Sequence, residues 1–169
     1  RAEQLVFLLW RRVLRLPRSV ASPKVTAPRP QAAHGCLLPI ANAAWLGGHR
    51  FGFLNHVRDF GTQVDWVAAG ESRLWQYNLH YFDWLRQLDF PPADVLDHIG
   101  QWIAANPPFS GTGWEPYPSS LRLVNWLGAL ASLPPGHVPR SVVESIALQG
   151  AWLEANIEYQ LGANHLFVN

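Results

Sequence analysis

The chain has 169 residues, is 49% apolar and carries a formal net charge of +1. That length suits one domain with its own core, and the charge supplies no field that would gather nucleic acid or an anionic membrane surface. Charged residues make up only 15%, against about a quarter in an ordinary soluble domain, so some faces are expected to be covered by further chain.

Residue 1 is Arg rather than Met, so the expectation is either a removed N-terminus or a fragment. The apolar run Leu5 to Trp10 is too short to span a bilayer. Arg11 and Arg12 follow it, where a signal peptide would show a small-residue cleavage site. Residues 3–16 read as a short amphipathic helix with Leu5, Leu8, Leu9 and Val13 on one side. Pro17 ends it, and residues 17–35 are rich in Pro, Ser and Ala without a period, an extended connector. The lone Cys36 excludes an internal disulfide. His49 to Leu54 alternates in polarity, and Val64 to Val67 is its expected partner in a small β-hairpin.

After Gly70 the pattern becomes helical. Tyr77, Tyr81, Trp84, Leu85 and Leu88 fall at helical spacing until Pro91-Pro92 breaks the chain. Val95, Ile99, Trp102 and Ile103 mark a second helix that stops before Asn106-Pro107-Pro108. A glycine-rich aromatic loop, Phe109 to Trp114, leads to a third helix through Leu123, Trp126, Leu127 and Leu130. Pro118 stands in its first turn, where a missing N–H costs nothing. Pro134-Pro135-Gly136 is a turn. Val143, Ile146, Gly150, Leu153, Ile157 and Leu161 then mark a long helix, and Gly150 on its apolar face suggests close helix approach, at a propensity cost of about 1 kcal/mol. Short turns between helices argue helical hairpins, and the periodicity itself implies no more than a mainly all-α fold.

Nine tryptophans in 169 residues are an excess. Most fall in helical registers and read as core; the sharper reading is stacking on sugar rings. Polar and aromatic residues concentrate in three stretches: Leu74 to Trp84, Trp114 to Trp126 and Glu158 to His165. In the first, Tyr77 and Tyr81 share a helical face, and His80 is either a ligand contact or a buried histidine held by a carbonyl. In the second, Glu115, Tyr117, Ser120 and Arg122 cluster at a helix start. Arg122 either recognises a carboxylate ligand by its planar fork or pairs with a carboxylate such as Glu115 to fix the loop. In the third, Asn164 and His165 follow a glycine-bounded helix end. No metal-ligand spacing, nucleophile elbow or phosphate loop is present. An amide and an imidazole side by side can neutralise a carboxylate next to a reacting carbon, so that the proton alpha to it becomes removable.

The three stretches in order, Tyr77-Asn-Leu-His-Tyr-Phe-Asp83, Pro116-Tyr-Pro-Ser-Ser-Leu-Arg-Leu-Val-Asn-Trp126 and Glu158-Tyr-Gln-Leu-Gly-Ala-Asn-His-Leu-Phe-Val-Asn169, resemble the N-terminal region of the heparinase II/III family of bacterial polysaccharide lyases. The resemblance covers roughly residues 45–169. It implies an incomplete (α/α) toroid beginning there, residues 1–44 being a helix and connector before it, and a later antiparallel β-sandwich domain. It also implies cleavage of uronate-containing polysaccharides by β-elimination in the periplasm or outside the cell, with no cofactor in this region.

The family's carboxylate-neutralising Asn falls on Asn164, with His165 beside it. Tyr77, His80, Trp114, Tyr117 and Arg122 become candidates for lining the cleft. The family's catalytic Tyr belongs to a later toroid helix and another catalytic His lies further on, so these 169 residues alone are expected to be nearly inactive. Gln160 departs from the pattern, since family members more often carry a His there, and the neighbouring Gly is shifted by one. Two other readings remain at this level: a non-catalytic carbohydrate-binding helical module with Trp114 and Tyr117 as stacking platforms, and an inactive gene fragment.

Overall fold

The computed structural model describes residues 20–24, 44–134 and 136–156. The expected helix over 3–16, most of the connector, Cys36 and the segment with Asn164 and His165 lie outside the described residues. Within them the protein is mainly helical, with one small sheet. In chain order it has β1 (Arg50–Phe53), β2 (His56–Asp59), α1 (Arg73–Tyr81), α2 (Val95–Ala105), α3 (Pro116–Ala131) and α4 (Arg140–Asn156). Single 3-10 turns occupy Asp83–Arg86, Pro92–Asp94 and Thr112–Trp114. Among the described residues no helix is long and apolar enough to cross a membrane.

The hairpin forms, but with a different partner from the one expected. β1 pairs antiparallel with β2, Arg50 opposite Asp59 and Phe53 opposite His56, and Val64 to Val67 lies outside the sheet. The turn residues Leu54 and Asn55 have φ of 53° and 61°, the type I′ geometry whose twist matches that of the strands. This closure spans two residues, so it outcompetes the longer loop that pairing with Val64 would need. Phe51 and Phe53 are buried while β2 is largely exposed. Arg58 and His56 both reach Glu71, at 3.1 and 2.9 Å, and tie the hairpin to the approach of α1.

α1 begins at Ser72, whose hydroxyl accepts from the Trp75 N–H at 3.3 Å, an ordinary N-cap. It stops well short of Leu88, the last residue of the expected periodic face. Phe82 turns left-handed, with φ 59° and ψ 20°. Such backbone costs about 1–3 kcal/mol for a non-glycine residue. The compensation is packing: the Phe82 ring is fully buried, 4.7 Å from Trp84, 5.2 Å from Trp66 and 5.4 Å from Trp126 by centroid. Burying a phenylalanine contributes about 1.5–3 kcal/mol, and each aromatic pair about 0.5–1.5 kcal/mol more. Leu88 beyond the break is 81% exposed.

α2 and α3 lie where the pattern puts them. α2 ends at Asn106, whose side-chain amide donates to the Trp102 carbonyl at 2.8 Å. α3 starts on Pro116 and contacts α1, α2 and α4. The buried stripe of α4 is Val142, Gln149, Trp152, Leu153 and Asn156, a neighbouring face to the one read from Val143, Ile146 and Gly150. A Cβ on Gly150 would meet nothing within 4 Å, so the expected close approach does not occur there. It occurs at Gly113, packed against His80 and Trp102. Eight of the nine tryptophans lie among the described residues and all eight are buried. None is placed to present an open face to a sugar.

Candidate functional site

The first two motif stretches meet at the C-terminal end of α1. A helix leaves its last carbonyls without partners in its own backbone, and here side chains supply them. The Trp84 indole N–H donates to the Leu79 carbonyl at 3.2 Å. Arg122 Nη1 donates to the His80 carbonyl at 3.5 Å and to the Gly113 carbonyl at 2.7 Å. The Asn125 amide donates to the Tyr81 carbonyl at 2.9 Å. Two residues of α3 thus fasten the end of α1, and Thr112 fastens its middle by donating to Gln76 Oε1 at 3.1 Å.

This arrangement corrects three of the expected cleft residues. Arg122 is 0% exposed. Its guanidinium lies 3.9 Å over the Trp102 ring and donates to Gln149 Oε1 at 2.8 Å and Ser119 Oγ at 3.2 Å. These acceptors are neutral, and burial among them pushes the Arg122 pKa below its ordinary value. It contacts neither a ligand-accessible surface nor Glu115, so both sequence readings of Arg122 give way to a third: a cation that cements α1, the Gly113 turn and α4. His80 is 1% exposed. Its Nδ1 accepts the Trp102 indole N–H at 3.0 Å, since an indole can only donate. Burial, then the nearby Arg122 charge, lowers its pKa to about 3, so it is a neutral core imidazole. Trp114 is 3% exposed, packs on Trp102, Phe109 and Trp152, and donates to the Asn106 carbonyl at 3.2 Å. None of the three can stack on or reach a substrate while so enclosed.

Tyr77 and Tyr117 are different. Both are half-buried, and with Tyr81 they form a ring-on-ring cluster across α1 and the start of α3. Tyr77 to Tyr81 is 6.3 Å and Tyr81 to Tyr117 is 5.7 Å between centroids, the latter edge to face. The Tyr77 hydroxyl donates to Glu115 Oε2 and accepts from Arg73 Nε at 3.0 Å, while Arg73 Nη2 also donates to Glu115 Oε2. Glu115 immediately precedes α3, where the helix N-terminus favours a negative charge.

Burial, then the hydrogen bond to Glu115, pushes the Tyr77 pKa up to about 12. Tyr81 is raised as well, by burial and then by Tyr117, and burial raises the Asp83 carboxyl beside it. Both phenols therefore keep their protons near neutral pH. They can donate hydrogen bonds or a proton, and are poor bases. The Arg73 side chain is 69% exposed and offers a cation at the rim.

Arg73, Tyr81 and Glu115 were not singled out as site residues by the sequence reading. The i,i+4 spacing of Arg73, Tyr77 and Tyr81 was the signal that could have found the first two, since it places all three on one face; Glu115 joins them only through the fold. Asn164 and His165 lie outside the described residues. Comparison with family models, with curated proteins and with solved structures gives no match.

Proposed function

We propose that the chain is the N-terminal part of a polysaccharide lyase of the heparinase II/III type, an (α/α) toroid in its early turns, acting on uronate-containing polymer in the periplasm or outside the cell. In the proposed reaction Asn164, with His165 beside it, donates to the uronate carboxylate and stabilises the charge that develops when the C5 proton leaves. The C4–O bond then breaks, C4 and C5 become doubly bonded, and the departing oxygen takes a proton. The catalytic Tyr comes from a later helix and another His from further along the chain, and a β-sandwich domain completes the protein.

The observation that carries this reading is the ordered set of three motif stretches. Supporting it, the half-open patch of Arg73, Tyr77, Tyr81, Glu115 and Tyr117 joins the first two of them. Its protonated phenols and exposed guanidinium suit the hydroxyl and carboxylate groups of an acidic sugar. A purely binding module loses its main stacking platform, since Trp114 is enclosed.

The test is a chain extended through the later helices and sandwich, assayed on heparan sulfate, alginate and other uronans by the ultraviolet absorbance of the unsaturated uronate product. Asn164→Ala in that chain should lower kcat far more than it raises KM. Unchanged kcat removes Asn164 from the mechanism, and no absorbance change on any uronan removes the lyase reading.

A further inference from the structure

His49 and His98, apart from the residues of that patch, carry a separate inference. His49 precedes β1 and His98 sits on α2, and their ring centroids are 5.7 Å apart. His49 Nδ1 lies 3.1 Å from the Gly61 carbonyl, and His98 Nδ1 lies 3.0 Å from the Asp94 carbonyl. A carbonyl only accepts, so in both rings Nδ1 carries the hydrogen and Nε2 presents the lone pair. This is the tautomer and the backing contact that metal-binding histidines use.

His98 is 3% exposed, and its Nε2 has no hydrogen-bond partner. One turn along α2, Gln101 Oε1 is also buried without a partner, while Gln101 Nε2 donates to Asp97 at 2.8 Å and lies 3.5 Å from His49 Nε2. A buried acceptor without a donor costs about 1–3 kcal/mol, and a cation at His98 Nε2 relieves that cost.

We infer that His49 and His98 form a site for a divalent transition ion that clips the hairpin to α2, the Gln101 amide N–H now against His49 Nε2 giving way to it. With Zn–N bonds of about 2.0–2.1 Å, two imidazoles sharing one ion hold their centroids about 5–6 Å apart, in line with the observed spacing. Among the described residues no three His, Cys, Asp or Glu side chains converge. The set is therefore nitrogen-led and incomplete, with water taking the remaining positions. Imidazole donors favour Zn, Ni and Cu over Mg or Ca. The inference is independent of the lyase reading.

Metal-free 169-residue protein is titrated with Zn2+, Ni2+ and Cu2+ by calorimetry in a non-chelating buffer. One equivalent should bind, and Cu2+ should quench part of the tryptophan fluorescence, because the Trp84 ring is 5.4 Å from His98. At a free ion concentration 100 times Kd the unfolding equilibrium should shift about a hundredfold toward the native state. His49→Gln, at a half-buried position, should keep the fold, checked by circular dichroism, and lose the binding. His98→Gln should lose it as well. His137→Asn, in an exposed turn, should retain it. Absence of saturable binding, or undiminished binding in His49→Gln, overturns the site.

Discussion

Gly113 and Gly150 are both glycines in regular structure, and the geometry assigns them opposite responses to alanine. A Cβ on Gly113 would stand 2.9 Å from His80 Cε1 and Nδ1 and 3.1 Å from Trp102 Cζ2. Neither ring is free to retreat. His80 is fixed by the Trp102 indole and by the Trp66 backbone. The Trp102 ring has Arg122 over its face and Trp126 5.3 Å away against it. Overpacking of a closed core costs about 1–3 kcal/mol, and losing the indole–imidazole hydrogen bond adds about 1 kcal/mol. Gly113→Ala should therefore destabilise by about 2–4 kcal/mol.

Gly150 lies within α4 with nothing inside 4 Å of its would-be Cβ. Alanine there should stabilise by about 0.5–1 kcal/mol through backbone entropy alone. Urea unfolding followed by far-ultraviolet circular dichroism measures both. With a slope of about 2 kcal/mol/M, the Gly113→Ala midpoint should fall by about 1–2 M and that of Gly150→Ala should rise by about 0.3–0.5 M. A Gly113→Ala midpoint at or above wild type would refute the packing argument, as would a lowered midpoint for Gly150→Ala.

Arg122→Lys should destabilise by about 2 kcal/mol, because a single ammonium cannot serve Gln149, Gly113 and Ser119 at once; a loss under about 0.5 kcal/mol in chemical unfolding would contradict the cementing role. His80 holds a proton in the folded state only below about 3, against 6.5 for the free group. The unfolded chain therefore takes up the extra proton between those values, and the stability His80 supplies above pH 6.5 is lost as pH falls, by about 1.4 kcal/mol per unit. His80→Gln should flatten the stability–pH curve by one proton over that window, and an unchanged slope would show that His80 charges in place. Glu115→Gln and Tyr77→Phe act at a half-buried edge, so each should change stability by no more than about 1 kcal/mol. Tyr77→Phe should weaken binding of oligouronates in fluorescence titration and Glu115→Gln, which frees the Arg73 guanidinium, should strengthen it; unaltered binding in both would take the patch out of sugar recognition.

Helix existence was legible wherever periodicity and punctuation agreed. α2 stands between Pro92 and Asn106-Pro107, and α3 opens on Pro116, as the proline positions imply. The end of α1 was not legible, because nothing local to Phe82 signals a left-handed residue. That conformation is held by three aromatic rings, two of them distant in sequence. The strand partner was missed because Leu54-Asn55 is a type I′ turn without the usual glycine. The buried face of α4 was misread by following its aliphatic residues. Gln149 and Asn156 face inward because Arg122 needs an acceptor and because the Asn156 amide donates to its own helix at Trp152.

The same interactions bear on how a short motif should be weighed. In the segment from Pro116 to Trp126, the most distinctive polar residues, Arg122 and Asn125, serve the carbonyls of α1. In the segment from Tyr77 to Asp83, His80 accepts a core indole. These residues are constrained because a buried cation or amide must meet its partners at fixed distance, so they specify how two helices join. The join then fixes what lies at its open edge. With α1 fastened at its C-terminal end, Arg73, Tyr77 and Tyr81 are carried to Glu115 and Tyr117 as a set. Loosening the join should therefore disperse the edge cluster even when no edge residue is changed. In Asn125→Ala the Tyr81 carbonyl loses its donor, and the fluorescence response to oligouronate should weaken although Asn125 is buried and touches no open surface. If that response is identical to wild type in a folded Asn125→Ala protein, the edge does not depend on the join, and the scaffold and the patch are separate features of the chain.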